Sequence, residues 1–387
     1  MIPIKYNLRS LMVRRTTSAM TAMGVALVVM ILFILLGFIA GLRSAVLGSS
    51  RRSNWIVLSR SVTSEPASFV TREQYEIIKA RPEIEAGPDG AALVSPEMVT
   101  AFNPQPDGPI RLSSFTYLRG VYPVAFLVHR GIRVISGRLP ARGQPEMVVG
   151  IRLAAKYANL RTGGQIHFGH RMWKIAGNFS DGGSARESEV WSDLDVLQQD
   201  VHFGNGFSSL HVAMKPALGA NFERALGKDA RLRVDAMPEA EFYALQTRLA
   251  DQLRAIGIVI AGILGVGAIF GGMNTMYAAV ARRAREVGVL RALGFSKASI
   301  VASFVFESMI IALAGGVIGE ILGVITADAT GLNSRLMNVQ MVMFSFRLTP
   351  SAFFAGLGAA LIIGALGGLL PAWRAARLGV IESIRAA

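Results

Sequence analysis

Four stretches of this chain are long and apolar enough to cross the roughly 30 Å hydrocarbon layer of a bilayer, which takes about 20 helical residues. They cover residues 19–42, with GVALVVMILFILLGFIAGL at the heart, and then 255–281, 299–327 and 350–371. The first follows Arg14 and Arg15, as the apolar core of a secretory signal does. It is too long for one, shows no cleavage signal and is followed by Arg43, Arg51 and Arg52, so it reads as a retained span.

A mean hydropathy of +0.43 is too high for an ordinary soluble enzyme and too low for a wholly embedded transporter, which points to a few spans plus a sizeable soluble domain. The net charge is +14. The arginines sit beside the apolar runs, where charge orients a membrane protein, so nucleic acid is not the expected partner and membrane lipid is. Lys5, Arg9, Arg14 and Arg15 precede the first span, Arg282, Arg283, Arg285, Arg291 and Lys297 join the second to the third, and Arg374, Arg377 and Arg385 follow the fourth. The positive-inside rule places all three groups, and both termini, in the cytoplasm. The segment 48–237 and the loop 328–349 then lie outside.

The external segment alternates strand-like runs (Trp55–Leu58, Ser113–Arg119, Glu146–Val149, Gln165–Phe168, Trp173–Ala176, Ser209–Met214, Arg231–Val234) with helical ones (Thr71–Ala80, Ile151–Asn159). The fold class expected is therefore a membrane protein of four transmembrane α-helices with a large α+β domain between spans 1 and 2. Thr71 and Gln74 have capping-box spacing, and Gly163-Gly164 and His170-Arg171 signal hairpins. No catalytic constellation appears. Cysteine is absent, which removes thiol catalysis and zinc–thiolate sites. The five histidines (His129, His167, His170, His202, His211) are scattered, and a structural or surface role is expected rather than a metal site. The acidic group Glu187, Glu189, Asp193 and Asp195 has the chemistry to bind a cation but reads rather as a solvated turn. There is no GxSxG. A phosphate loop of the form GxxxxGK[ST] is missing too: the one Gly-Lys pair, Gly227-Lys228, has Phe222 where the first glycine belongs.

From Pro238 the sequence PEAEFYALQTRLADQLRAIG runs into span 2 without a breaker. Proline with Glu239 and Glu241 favours a helix start, and residues 238–254 read as a stalk projecting about 24 Å, from roughly 16 residues at 1.5 Å each. A short linker helix is the alternative. Gly267/Gly271 and Gly315/Gly319 have small-xxx-small spacing, which allows close helix approach within one bundle or across a homodimer seam. Glu307 and Glu320 are acids inside span 3, a costly position. A proton relay is one reading of such acids; Glu307, about two turns in, reads rather as a packing or coupling contact, and Glu320 as reaching an aqueous boundary.

Arg282 to Gly316 resembles the signature of the FtsX/MacB/LolC (type VII) superfamily of ABC transporter permeases. The segment R-x-x-E-[IV]-G-x-[LR]-[RK]-A-[LI]-G is matched by Arg283, Glu286, Val287, Gly288, Leu290, Arg291, Ala292, Leu293 and Gly294. Phe304, Glu307, Gly315 and Gly316 match the family's pattern within the third span. The ending GGLLPAWRAARLGVIESIRAA resembles the family's C-terminus through Pro371, Ala372, Arg374, Ala375, Ala376, Ile381, Glu382 and Arg385, with Val380 and Ser383 departing from it. Residues 1–18 resemble the family's N-terminal cytoplasmic helix, and EMVVGIRLAAKYANLRTGGQIHFGHRMWKIAGNF is similar to its periplasmic core domain.

The resemblance implies a non-catalytic subunit working by mechanotransmission. Residues 282–297 would be the coupling helix on a separate cytoplasmic ABC ATPase, with Val287, Leu290 and Leu293 in apolar contact and Arg282, Arg283, Glu286 and Arg291 in polar contact. Gly288 and Gly294 would belong to the same ATPase-coupling set. Glu307, Gly315, Gly316, Gly319, Pro371 and Arg374 would pack and couple the spans, and residues 372–387 would form a cytoplasmic tail. ATP and Mg would be bound by the partner and no cofactor or metal by this chain. A second permease copy, identical or paralogous, and a periplasmic adaptor with an outer-membrane channel complete the implied assembly. Its expected work is efflux or extraction of a periplasmic or membrane-derived substrate; the alternative is an FtsX-like signal to a cell-wall hydrolase.

Overall fold

The computed structural model describes residues 15–48, 53–105, 115–215, 217–246, 248–330, 337–339, 342–344 and 346–377. The expected N-terminal helix before Arg15, and the tail beyond residue 377, lie outside them. The chain divides into two compact units, one of residues 1–40, 250–334 and 346–387, the other of residues 41–249 and 335–345.

The first unit is helical. Helix α1 spans Arg15–Leu47; α2 (Glu239–Gln246) belongs to the other unit. Helix α3 spans Arg248–Arg282, α4 Ala284–Ala292, α5 Lys297–Ala329 and α6 Pro350–Arg377. Stretches of α1, α3, α5 and α6 are long and apolar enough to cross a membrane. Leucine, isoleucine and valine run round these helices without a polar stripe, so side-chain size decides which face packs. The packing is set by glycine: a Cβ at Gly315 or Gly319 of α5 would fall 2.4 Å from the carbonyl oxygens of Ala22 and Ala26 on α1. On α6 a Cβ at Gly364 would meet the Ala312 Cβ at 2.6 Å, and one at Gly368 the Ser308 Cβ at 2.6 Å. Ser308 Oγ also donates to the Gly364 carbonyl at 2.7 Å. Gly267 and Gly271 of α3 differ, since both face open space.

The second unit is built on a ten-stranded sheet. Its strands are β1 (Asn54–Ser59), β2 (Val94–Phe102), β3 (Thr116–Val121), β4 (Arg133–Gly137), β5 (Glu146–Gly150), β6 (Gln165–Phe168), β7 (Arg171–Ser180), β8 (Val190–Asp193), β9 (Ser209–Ala213) and β10 (Val234–Pro238). The spatial order is β10-β1-β9-β2-β3-β8-β5-β7-β4, with β6 paired to β7. Only β3–β8 and β5–β7 run parallel. Alternation puts Val94, Met98, Leu118, Val190, Leu210 and Val212 into the apolar core on one face, with Phe102, Trp173, Phe207 and Phe222. Thr71 caps the helix Arg72–Lys79 in a full capping box with Gln74, so the capping residues read from sequence are the ones in place.

Three expectations need correction. The strand expected at Arg231–Val234 is Val234–Pro238, starting three residues later, where Asp229 turns the chain by accepting from the Arg231 amide. The acidic group is not a solvated turn: Glu187, Glu189 and Asp193 are buried. Pro238 closes β10 opposite Trp55, and α2 begins one residue later. Glu239, Phe242 and Tyr243 are buried, so the first part of the expected stalk is docked within its own domain. Residue 247, between α2 and α3, is outside the described residues.

Candidate functional site

Where α3 ends, the backbone of Arg283 leaves the helical region (φ −107°, ψ 13°) and α4 starts. At its other end Gly294 adopts φ +89°, and the amides of Gly294 and Phe295 bond back to the carbonyls of Arg291 and Leu290 at 3.1 Å each. This is the glycine stop of a helix C-terminus, a conformation that costs any residue with a Cβ. Ser296 then caps α5 by accepting from the Ser299 amide at 3.2 Å. The nine residues of α4 are thus a separate short helix with a non-helical joint at each end.

Arg283 pins the first joint. Its Nε donates to Glu286 at 3.1 Å and its Nη1 to Glu307 on α5 at 3.0 Å, with the guanidinium 5.7 Å from the centre of the Phe304 ring. Both Arg283 and Glu307 are buried, whereas Glu286 is exposed. Around the pair, Met276, Ala279 and Val280 of α3, Val287 of α4, Ile300 and Phe304 of α5 and Ala372, Ala375 and Ala376 of α6 form one cluster. Four helices therefore meet at one charged contact in an apolar shell. Thr21 of α1 and Thr275 of α3 share a hydrogen bond of 2.8 Å nearby, beside a small pocket of mixed lining that reaches Ser18, Glu307 and Ile311. Arg374 lies over Tyr277 at 5.9 Å, and Pro371 is buried within α6.

The sequence-derived contact face of α4 needs revision. Val287 is 2% exposed, and Gly288 is buried with it, so neither reaches a partner. Leu290 and Arg291 are half-buried. The open face carries Arg282, Arg285, Glu286, Val289 and Leu293, with Leu293 71% exposed. Gly316 packs against Ala360. Glu320 does not reach a boundary: it is 4% exposed.

The other unit holds a constellation that sequence reading missed. On the sheet face opposite the apolar core, Arg119 of β3 bonds to three carboxylates: Glu97 at 2.7 Å, Glu189 at 2.8 and 3.0 Å, and Glu65 at 3.0 Å through each terminal nitrogen. His129 Nε2 lies 2.8 Å from Glu97, and His211 Nε2 2.9 Å from Glu65. His211 Nδ1 is 3.5 Å from Glu239, which also binds Arg186. The two imidazoles stand 4.8 Å apart, so these histidines are not scattered. The missed signal was charge at inward-facing strand positions, Glu97 in VSPEMVTAF and Arg119 in TYLRGV.

Burial would strip His211 of its proton, but the charge of Glu97 and the carboxylates of Glu239 and Glu65 outweigh it and push its pKa up to about 10. For His129 burial wins, aided by Arg186, and its pKa falls below the usual range. Burial would raise Glu65, Glu97 and Glu239, yet the surrounding cations hold all three below the usual carboxylate range, Glu239 at about 2. Glu97, His129 and His211 offer donor atoms within 4.8 Å of one another, close enough to hold a metal ion. The positive charge such an ion would bring is already supplied by Arg119 and protonated His211.

Two family models cover most of the chain: a MacB-like periplasmic core domain over residues 18–227 and an FtsX-like permease C-terminal domain over residues 258–380. The macrolide export ATP-binding/permease protein MacB of Nitrobacter winogradskyi is 34% identical over 137 residues, 35% of this chain and 20% of that one. An uncharacterized ABC transporter permease of Methanocaldococcus jannaschii is 24% identical over 58% of each chain. The uncharacterized permease YknZ of Bacillus subtilis is 31% identical over 37% of this chain and 32% of its own length. These matches span from about a fifth to under two thirds of the relatives' lengths. The solved periplasmic region of MacB from Actinobacillus actinomycetemcomitans overlays loosely, at a TM-score of 0.38 and 14% identity over 51% of this chain and 94% of that one.

Proposed function

This chain belongs to the MacB/FtsX family of ABC transporter permeases, an inner-membrane protein with a periplasmic α+β domain between its first two spans, and from that premise we propose that it converts ATP-driven movement of a separate ATPase into movement of its periplasmic domain. The chain's own part is mechanical and non-catalytic; ATP and Mg are held by the partner. Both termini and α4 lie in the cytoplasm, where the open face of α4 (Arg282, Arg285, Val289, Leu293) docks on the ATPase. Val289 and Leu293 bury apolar surface there, and the arginines set orientation.

The Arg283–Glu307 contact carries this reading. A short helix with flexible joints would swing idly under load unless tied to a span, and this buried ion pair ties α4 to α5. Movement passes along α5 to the glycine seams with α1 and α6, and along the chain through α3 and α2 to the periplasmic domain. Work at a distance of this kind suits efflux or extraction of a periplasmic or membrane-derived substrate, by two permease copies with a periplasmic adaptor and outer-membrane channel.

The test is copurification of the full chain with its ATP-binding subunit, followed by hydrolysis rates in lipid. Glu307→Gln leaves the complex assembled and lowers the hydrolysis rate several-fold; Leu293→Asp prevents assembly. Normal assembly with Leu293→Asp, or an unchanged rate with Glu307→Gln, would overturn the proposal.

A further inference from the structure

Glu320 has no place in that scheme. It sits in α5 about 14 Å, at 1.5 Å per residue, from the Ala329 end. Neither carboxyl oxygen has a hydrogen-bond partner among the described residues, and no described cation is within ion-pair distance. The side chain occupies a notch: a Cβ at Gly356 of α6 would lie 2.6 Å from its Oε1 and 3.1 Å from the Val29 Cγ1 of α1. Val25, Val28, Val29, Ala312, Ala360 and Ile363 form the apolar cluster of these helices.

The titratable residues on the packed helices are few. On α1 there is none between Arg15 and Arg43, and on α6 none before Arg374. On α5 the others are Lys297, Glu307, which is paired with Arg283, and Asp328. An ionised carboxylate in this notch would be all but fully buried with no hydrogen-bond donor and no cation among the described residues to answer it, an unfavourable state for such a group. A metal cation is a poor remedy, because hard cations need several oxygen ligands and the wall here is Val29 and Gly356. A proton needs only the carboxylate.

We propose that Glu320 is a proton-binding site. The closed packing of α5 against α1 and α6 holds one proton on this carboxyl at neutral pH, and a separation of α5 from α6 that admits water returns it to the solvent. The step balances simply: the carboxylate takes one proton from hydronium or buffer acid of the bulk solvent on closure and returns one proton to it on opening. The packing of the spans is then linked to pH through one residue, whatever partner drives it.

The full chain reconstituted in lipid tests this by infrared spectroscopy. At neutral pH the wild type shows the carbonyl stretch of a protonated carboxylic acid; Glu320→Gln removes it and Glu307→Gln leaves it. Raising the pH lowers the thermal midpoint of the wild type more than that of Glu320→Gln, because the folded state alone keeps the proton. If Glu320→Gln fails to accumulate, Glu320→Asp displaces the band instead. A spectrum in which neither variant changes an acid band overturns the proposal, and so does an identical alkaline dependence in wild type and Glu320→Gln.

Discussion

Between β1 and α2 the periplasmic domain buries Arg119 and Arg186 among Glu65, Glu97, Glu187, Glu189, Glu239 and Asp181, while the buried charges described in the helical unit are Arg283, Glu307 and Glu320. The domain makes a lattice: each carboxylate of Glu65, Glu97 and Glu189 answers to Arg119 and to at least one further donor. Among its described buried charges the helical unit pairs Arg283 with Glu307 and leaves the Glu320 carboxyl without a hydrogen bond. The difference reflects what each interior is made of. A sheet brings side chains from four strands onto one face at a spacing of about 4.8 Å, so many partners converge on one guanidinium. Helices joined through glycine approach by backbone and leave little room for polar side chains between them. The domain is held by charge that cannot be removed piecemeal, and the bundle by shape.

The sharpest way to break this contrast is Arg119→Met. It strands three buried carboxylates, and losing one partner of a buried charge set costs about 3–5 kcal/mol. Chemical denaturation followed by tryptophan fluorescence, to which the domain contributes Trp55, Trp173 and Trp191, should show the domain unfolding early while far-UV helicity persists. A loss as small as that of a surface pair would mean the lattice holds nothing. Next comes pH. His211 titrates in the folded state at about 10 against an ordinary 6.5, so its stabilisation is full below 6.5 and lost as pH rises through 10. Glu65, Glu97 and Glu239 are lowered from 4.5, so theirs is full above 4.5 and lost in acid. His129 is lowered from 6.5, so its contribution is full above 6.5 and is lost as pH falls. Domain stability should therefore peak near 6.5 and decline on both sides, and His211→Gln should flatten the alkaline limb. For the bundle, Gly315→Leu presses a side chain onto the Ala22 carbonyl, and overpacking of this kind costs about 1–3 kcal/mol. A lowered thermal midpoint of the far-UV helical signal in detergent is expected, with the domain's tryptophan transition unmoved in a Trp373→Phe background. The smallest effect belongs to the half-exposed Arg130–Glu85 pair at 2.6 Å: Glu85→Ala should change domain stability by no more than about 1 kcal/mol.

Legibility in the sequence tracked the strength of the periodic signals. Runs of twenty apolar residues admit few readings, and the spans, the α+β class and the Thr71 cap could be read directly. The strand Val94–Phe102 escaped notice because Pro96 and Glu97 look like loop residues, although Pro96 lies opposite Leu210 within the sheet. Glu65, Glu97, Arg119, Glu189 and His211 lie far apart in the chain, so their meeting depends on strand order, which no local pattern encodes. On α4 the residue types were legible but the inward face was not: Val287 and Leu293 are equally apolar, and only the position of α5 and α6 decides that Val287 turns in.

The strand order also has a consequence for synthesis. Strand β1, the first of the domain to be made, lies between β9 and β10, the last two. Both of its edges stay open until some 150 residues later in the chain have appeared, and Glu65 and His211 wait as long for each other. Closing so wide a loop makes for slow folding and a long exposure of unpaired strand edges. The second span comes almost at once after β10, so the domain completes its sheet only as the chain is about to re-enter the membrane.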